Sequence, residues 1–215
     1  TMLDHEFKDV HVLGAWVHDA GLFHSDKPIN SLEDLNGMKI RGASRTVNML
    51  LEELGASPVG MPVPAVPESL SKGVINAATL PWGVVSSLKV PELVHNHTEF
   101  PGNALYTATF LFAMNKDTYN SLPADLQKVI DDNSDIEFSG FAGSVQEANV
   151  APSKAAAATL GNQLVVLDAE QTAIWRETAQ PVYDNWAMDM DAKGYDGKAL
   201  IAEAEALIAK YTAAQ

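Results

Sequence analysis

Apolar and polar positions along this chain follow two rhythms. Runs rich in β-branched and aromatic residues, Val10 to Val17 (VHVLGAWV) and Tyr106 to Met114 (YTATFLFAM), read as strands. Other stretches place apolar residues three and four apart. Val47, Leu50, Leu51 and Leu54 share one face of a helix predicted over Arg45 to Leu54, which Gly55 closes. Upstream, Ser31 begins a capped turn with Asp34 at the capping-box position, and Gly37 stops it. Met38 to Ile40 is a predicted strand, Ser57 to Val63 an extended crossing, and Ala65 to Lys72 a short helix. Val74 to Leu80 is a small-residue strand and Trp82 to Leu88 a further short helix. Asp19 to Asn30, with Gly21 and Pro28, reads as loop, and His95 to His97 as a surface turn.

The carboxy-terminal half is mostly helical in pattern. Ser121-Leu122-Pro123-Ala124-Asp125 is a strong helix start, and the long segment from Pro123 to about Leu160 contains one further proline, Pro152. Gly140 and Gly143 can bend it. Gln163 to Leu167 reads as a strand. Asp168 caps a helix over Ala169 to Ala192 that Pro181 interrupts, and Asp196 caps a last helix, Lys198 to Tyr211. Strands alternating with helices imply an α/β layered fold.

Composition narrows the function. The 215 residues are 47% hydrophobic, enough for a substantial core, and carry a net charge of −14. Such a charge disfavours nucleic acid and anionic membrane surfaces as partners. There is no cysteine, so thiolate metal sites and disulfides are excluded. No apolar run reaches the roughly 18 residues that suggest a membrane span.

Against this acidic background the arginines stand out. The chain has three, and two lie close together, Arg41 ending a strand and Arg45 opening a helix. Two guanidiniums at a strand-to-helix junction, beside free helix N–H groups, suit an anion, and a planar fork suits a carboxylate. Ser44 and Asn48 are candidates to help position the ligand, with Ser44 equally a candidate N-cap. Pro81 and Trp82 end the next strand and are expected to supply an aromatic wall near Arg41. Trp16 and His18, at the end of the first strand, are further candidate ligand contacts, and Phe110 is either core or cleft lining.

The segments LEDLNGMKIRGASR and ELGASPVGMPVPAVPESLSKGVINAATLPW carry a family resemblance, continued by Met114-Asn115-Lys116 and by Tyr119 to Ile130. They resemble the periplasmic solute receptors of TRAP transporters, the DctP-type family. The resemblance implies an α/β, two-lobe periplasmic-binding-protein-like fold with hinge strands and a long interlobe helix, here truncated at the N-terminus. It implies that residues 1–18 form a hinge strand from the first lobe. Residues 19–105 and 147–215 would form the second α/β lobe, and 106–146 a return to the first. Arg41 takes the place of the family's carboxylate-pairing arginine. Many relatives carry an acidic residue or amide, then Asn, before the proline matching Pro81; with Thr79-Leu80 here the contacts of that Asn do not carry over, and the Pro81-Trp82 pair implies a more apolar carboxylate, aromatic or branched. The resemblance further implies a periplasmic monomer that delivers its ligand to membrane permease subunits, with no cofactor or metal and no direct membrane insertion.

The competing reading is an α/β enzyme acting on a small carboxylate. The chain lacks G-x-S-x-G, H-E-x-x-H, G-x-x-x-x-G-K-[ST] and G-x-G-x-x-G signatures. Asp189 to Gly194 fails as a calcium loop, because Lys193 occupies a ligand position and Leu200 replaces the closing glutamate. Arginine and tryptophan account for holding a carboxylate; no residue set accounts for transforming one.

Overall fold

A computed structural model describes residues 6–100, 102 and 104–212. In chain order the strands are β1 (Val10–Val17), β2 (Gly21–Ser25), β3 (Lys39–Gly42), β4 (Ser57–Gly60), β5 (Ala77–Pro81), β6 (Asn96–Glu99), β7 (Thr109–Asn115) and β8 (Gln163–Val166). The first helices are α1 (Arg45–Glu53), α2 (Val66–Ser71), α3 (Trp82–Val85) and α4 (Val90–Leu93). After β7 come α5 (Lys116–Asn120), α6 (Ala124–Asp131), α7 (Ile136–Glu147) and α8 (Val150–Thr159). Beyond β8 lie α9 (Ala169–Thr178), α10 (Gln180–Asp191) and α11 (Gly197–Thr212).

The strands form two sheets. β1 and β7 make an antiparallel pair, from Val10 opposite Asn115 to Val17 opposite Thr109, with a slip between Val12 and Gly14. The other six run in the order β4-β3-β5-β2-β6-β8. There β3 is parallel to β4 and β5, and β2 is antiparallel to both β5 and β6. A single bridge between Gly21 and Tyr106 links the large sheet to the segment that leads into β7.

Successive strand residues point to opposite faces, and the large sheet is apolar on both. Phe23, Ile40 and Ala77 join one core with Val47 and Leu51 of α1 and with Trp175 of α9. Leu22, Ala78 and Leu80 join the other with Val66, Trp82, Val85 and Val90. β7 is different. Phe110, Leu111 and Phe112 are 41%, 42% and 50% exposed, so neighbours on both of its faces are apolar and open.

Three expectations need correction. The segment after Asp19 is not all loop: Gly21–Ser25 is β2, fully buried between β5 and β6. Its His24 reads as a surface residue, but the fold supplies partners for both ring nitrogens. His97 is likewise no surface residue; it lies buried in β6. The long helix is realised as α6, α7 and α8, interrupted between Asp131 and Ile136 and again at Ala148 and Asn149. Asp135 caps the restart by accepting from the Phe138 N–H at 2.9 Å.

Candidate functional site

Arg41 is the group that needs explaining. It is 3% exposed, on the penultimate residue of β3. Its neighbour Ile40 points into the core under α1, so Arg41 points to the opposite face. There Nε donates to the Met61 carbonyl at 3.2 Å and Nη1 to the Thr79 carbonyl at 2.9 Å. The Tyr106 hydroxyl donates to the same Thr79 carbonyl at 3.2 Å, which sets the phenol beside the guanidinium. Burial pulls the guanidinium's pKa below its ordinary value, and Tyr106 counteracts this. Arginine nonetheless stays charged in proteins. Among the described residues no carboxylate pairs with it. A buried charge is normally paired. This one is held by two carbonyls, one of them shared with a phenol, and three of its five N–H donors are left over.

Arg45 does not converge on the same point. Its side chain is 80% exposed and pairs with Asp189 of α10 at 3.0 Å. The first turn of α1 points it outward, toward the carboxy-terminal helices. Ser44 is the N-cap of α1: its Oγ accepts from the Val47 N–H at 3.2 Å. Ser44→Ala should therefore cost about 1 kcal/mol of stability, read from the urea midpoint, while carboxylate affinity stays unchanged.

Pro81 is buried where β5 ends, and Trp82 after it is buried in the core that contains Leu80 and Val85. The indole leans across β2 and β6, edge-on to His24 with ring centres 5.1 Å apart. Its Nε1 donates to Glu99 on β6 at 2.5 Å, and Lys154 of α8 pairs with the same carboxylate. Arg41 stands on β3 and bonds toward β4 and β5. The expected aromatic wall is thus packed into a core, because its N–H finds a fixed acceptor there.

Trp16 and His18 flank the passage between the sheets. Trp16 is half-buried, stacks on Phe110 at 5.7 Å and donates to Gln146 of α7 at 3.0 Å. His18 is buried, and both nitrogens are used. Nε2 accepts from the Ala108 N–H at 3.0 Å, so Nδ1 carries the proton and donates to the Asp19 carbonyl. Its ring meets Tyr106 and Phe110 edge-on. His18 is therefore a buttress between Tyr106 and Phe110 with no donor to spare. Asp19 accepts from the Gly83 N–H at 3.2 Å, and partial burial raises its carboxyl pKa.

Sequence reasoning missed Tyr106. At the start of an aromatic-rich strand pattern it looks like one more packing residue. Only the bridge to Gly21 brings its hydroxyl to Arg41. Separately, an apolar groove of about 730 Å³ lies between α1, the 104–109 segment and the carboxy-terminal helices. Ser44 lines it but Arg41 does not.

Residues 2–189 match the family model of bacterial extracellular solute-binding proteins, family 7 (DctP). The chain belongs to this family. It is similar in structure to a TRAP solute-binding protein from Rhodoferax ferrireducens T118 in complex with copurified benzoate. That likeness has a TM-score of 0.93 and 48% identity, covering 97% of this chain and 66% of that one. A marine-metagenome TRAP protein specific for aromatic acid ligands, with co-crystallized 3-hydroxybenzoate, is 39% identical at a TM-score of 0.93. Here 98% of this chain and 67% of the other are covered. The C4-dicarboxylate-binding periplasmic protein DctP of Rhodobacter capsulatus is 26% identical over 193 residues, which is 87% of this chain and 56% of that protein. The DctP family chain thus spans about two-thirds of these solved relatives and just over half of the Rhodobacter protein. The neighbours are transport receptors, and the enzyme reading finds no support among them.

Proposed function

We propose that this chain forms the greater part of an extracytoplasmic receptor that captures small aromatic monocarboxylates on Arg41 and delivers them to a TRAP permease in the membrane. The observation that carries the reading is a buried guanidinium with no acidic partner among the described residues and three N–H groups to spare. A protein keeps such a charge where an anion will meet it. The aromatic preference is supported by the benzoate and 3-hydroxybenzoate of the two neighbours above. It is also supported by Leu80, apolar and buried, before Pro81. Trp16 and Phe110 offer a stacked, partly open aromatic pair on the linking strands. The open apolar residues of β7, with Phe141 of α7, support residues 106–146 as the part against which a further lobe packs. Among the described residues no helix is long and apolar enough to cross a membrane.

The test is thermal unfolding against a panel of acids, using the protein with any native sequence that precedes Thr1. Benzoate or 3-hydroxybenzoate at a hundredfold excess over Kd should stabilise by about 2.7 kcal/mol. That is an upward shift of roughly 5–10 °C for a protein of this size. Malonate and galacturonate should shift it far less. Equal response to all four acids would overturn the aromatic assignment, and no response to any carboxylate would overturn the receptor reading.

A further inference from the structure

We infer that Tyr106 is a positioning residue for Arg41, acting through its hydroxyl, and that it ties the anion site to the β1–β7 pair. The inference rests on the receptor reading above but names a residue that reading does not need. Three observations converge. First, the hydroxyl is bonded to the Thr79 carbonyl at 3.2 Å, the same oxygen that Arg41 Nη1 meets at 2.9 Å. Thr79 O therefore receives two donors, Arg41 Nη1 and the phenol, which fixes one edge of the guanidinium plane. Second, Tyr106 is itself clamped. Its carbonyl accepts from the Gly21 N–H at 3.0 Å, and Leu105 N–H donates back to Gly21 O at 3.0 Å. Position 21 must be glycine for this: a Cβ there would lie 2.3 Å from the Tyr106 ring and 2.8 Å from its carbonyl oxygen. Third, His18 sets its ring edge against Tyr106 at 5.2 Å while holding the Ala108 N–H. The residue that shares the Thr79 carbonyl with Arg41 is thus fixed to the exit of β1 and the approach to β7.

The physical consequence is preorganisation. Two carbonyls hold the Nε and Nη1 donors, and the phenol, bonded to the Thr79 carbonyl, fixes where that acceptor sits. A fork already facing the ligand loses less freedom on binding than one that must be ordered. Removing the hydroxyl leaves no buried carbonyl bare, because Arg41 still donates to Thr79 O. Tyr106→Phe should therefore fold normally.

The experiment reads Arg41 directly. These 215 residues contribute three arginines to the side-chain Nε–H spectrum, and loss of a signal in Arg41→Met assigns that of Arg41. In the wild type, with any native sequence preceding Thr1, the Arg41 signal should be protected by the Met61 carbonyl. In Tyr106→Phe it should shift and exchange about tenfold faster. The signals of Arg45 and Arg176 should stay in place. Benzoate affinity by calorimetry should fall about three- to tenfold, the range for one neutral hydrogen bond that holds the Arg41 acceptor in place. Tyr119→Phe, which loses a hydroxyl bonded to Asp131 instead, should change neither readout. An unchanged Arg41 signal in Tyr106→Phe overturns the inference, whatever the affinity does. If the wild type binds no carboxylate the receptor reading fails, yet the Arg41 signal still decides whether Tyr106 holds the guanidinium.

Discussion

Replacing Arg41 by alanine should abolish carboxylate binding, and replacing it by lysine should weaken binding about 100-fold or more, the cost of breaking a buried charge pair. The lysine result is the informative one, and donor counting sets it. A guanidinium has five N–H groups; the Met61 and Thr79 carbonyls take two, leaving three for a two-point grip. An ammonium has three donors. If it satisfies the same two carbonyls, one remains, and the second carboxylate oxygen is left without a partner. Calorimetry on the lysine variant reads this, and affinity within fivefold of wild type would sink the two-point grip. A companion variant, Arg41→Met, separates ligand binding from structural pairing. An apolar chain of similar length removes a desolvated charge, so stability in urea should hold within about 1 kcal/mol or rise. A structural ion-pair role would instead show as a large loss of stability.

The parts of this site legible in the sequence are those set by local pattern. The strand before Arg41 and the helix after Ser44 follow from period, cap and stop residues, and the structure has both at nearly those bounds. Arginine scarcity and position pointed to Arg41 without any contact being known. What local pattern could not carry is pairing across the sheet. β2 was hidden because a glycine and a histidine in five residues look like a loop; only the partners on β5 and β6 make His24 an interior residue. Trp82 was expected beside Arg41 because both end strands on one side of the sheet. The indole instead follows its N–H to Glu99, a partner 17 residues away. Tyr106 was invisible for the same reason: its contact with Arg41 exists only through the bridge to Gly21. The break after Asp131 involves no proline, whereas the one at Ala148 and Asn149 falls four residues before Pro152, which has no N–H to offer the Ala148 carbonyl.

Acid should unfold this protein steeply, and the His24–His97 pair should be a main cause. The two Nδ1 atoms lie 2.7 Å apart, so one donates and one accepts. His24 Nε2 faces the Leu80 carbonyl at 3.2 Å and must carry a proton, which leaves its Nδ1 bare. His97 Nδ1–H then donates to it, and the bare His97 Nε2 accepts from the Asn162 amide at 3.0 Å. Every polar atom of the pair is satisfied only when both rings are neutral. Burial lowers His24 from 6.5 to about 3, with repulsion from His97 adding to it, and lowers His97 to about 4, again by burial first. Both folded values lie below the unfolded one, so between them the unfolded chain binds more protons. Stability is fully present above pH 6.5 and is lost as the pH falls toward those folded values. While both groups contribute, the loss is about 2.7 kcal/mol per pH unit, against a total stability of roughly 5–15 kcal/mol. Carboxylates also titrate in this range, so the pair must be isolated by difference. His24→Leu/His97→Leu removes both partners together and replaces them with apolar groups, a change that can be nearly neutral at pH 7. Urea unfolding at about pH 6 and pH 4.5 should show a much shallower loss in the double variant. The same steep loss in both proteins would mean that the buried pair does not control acid stability.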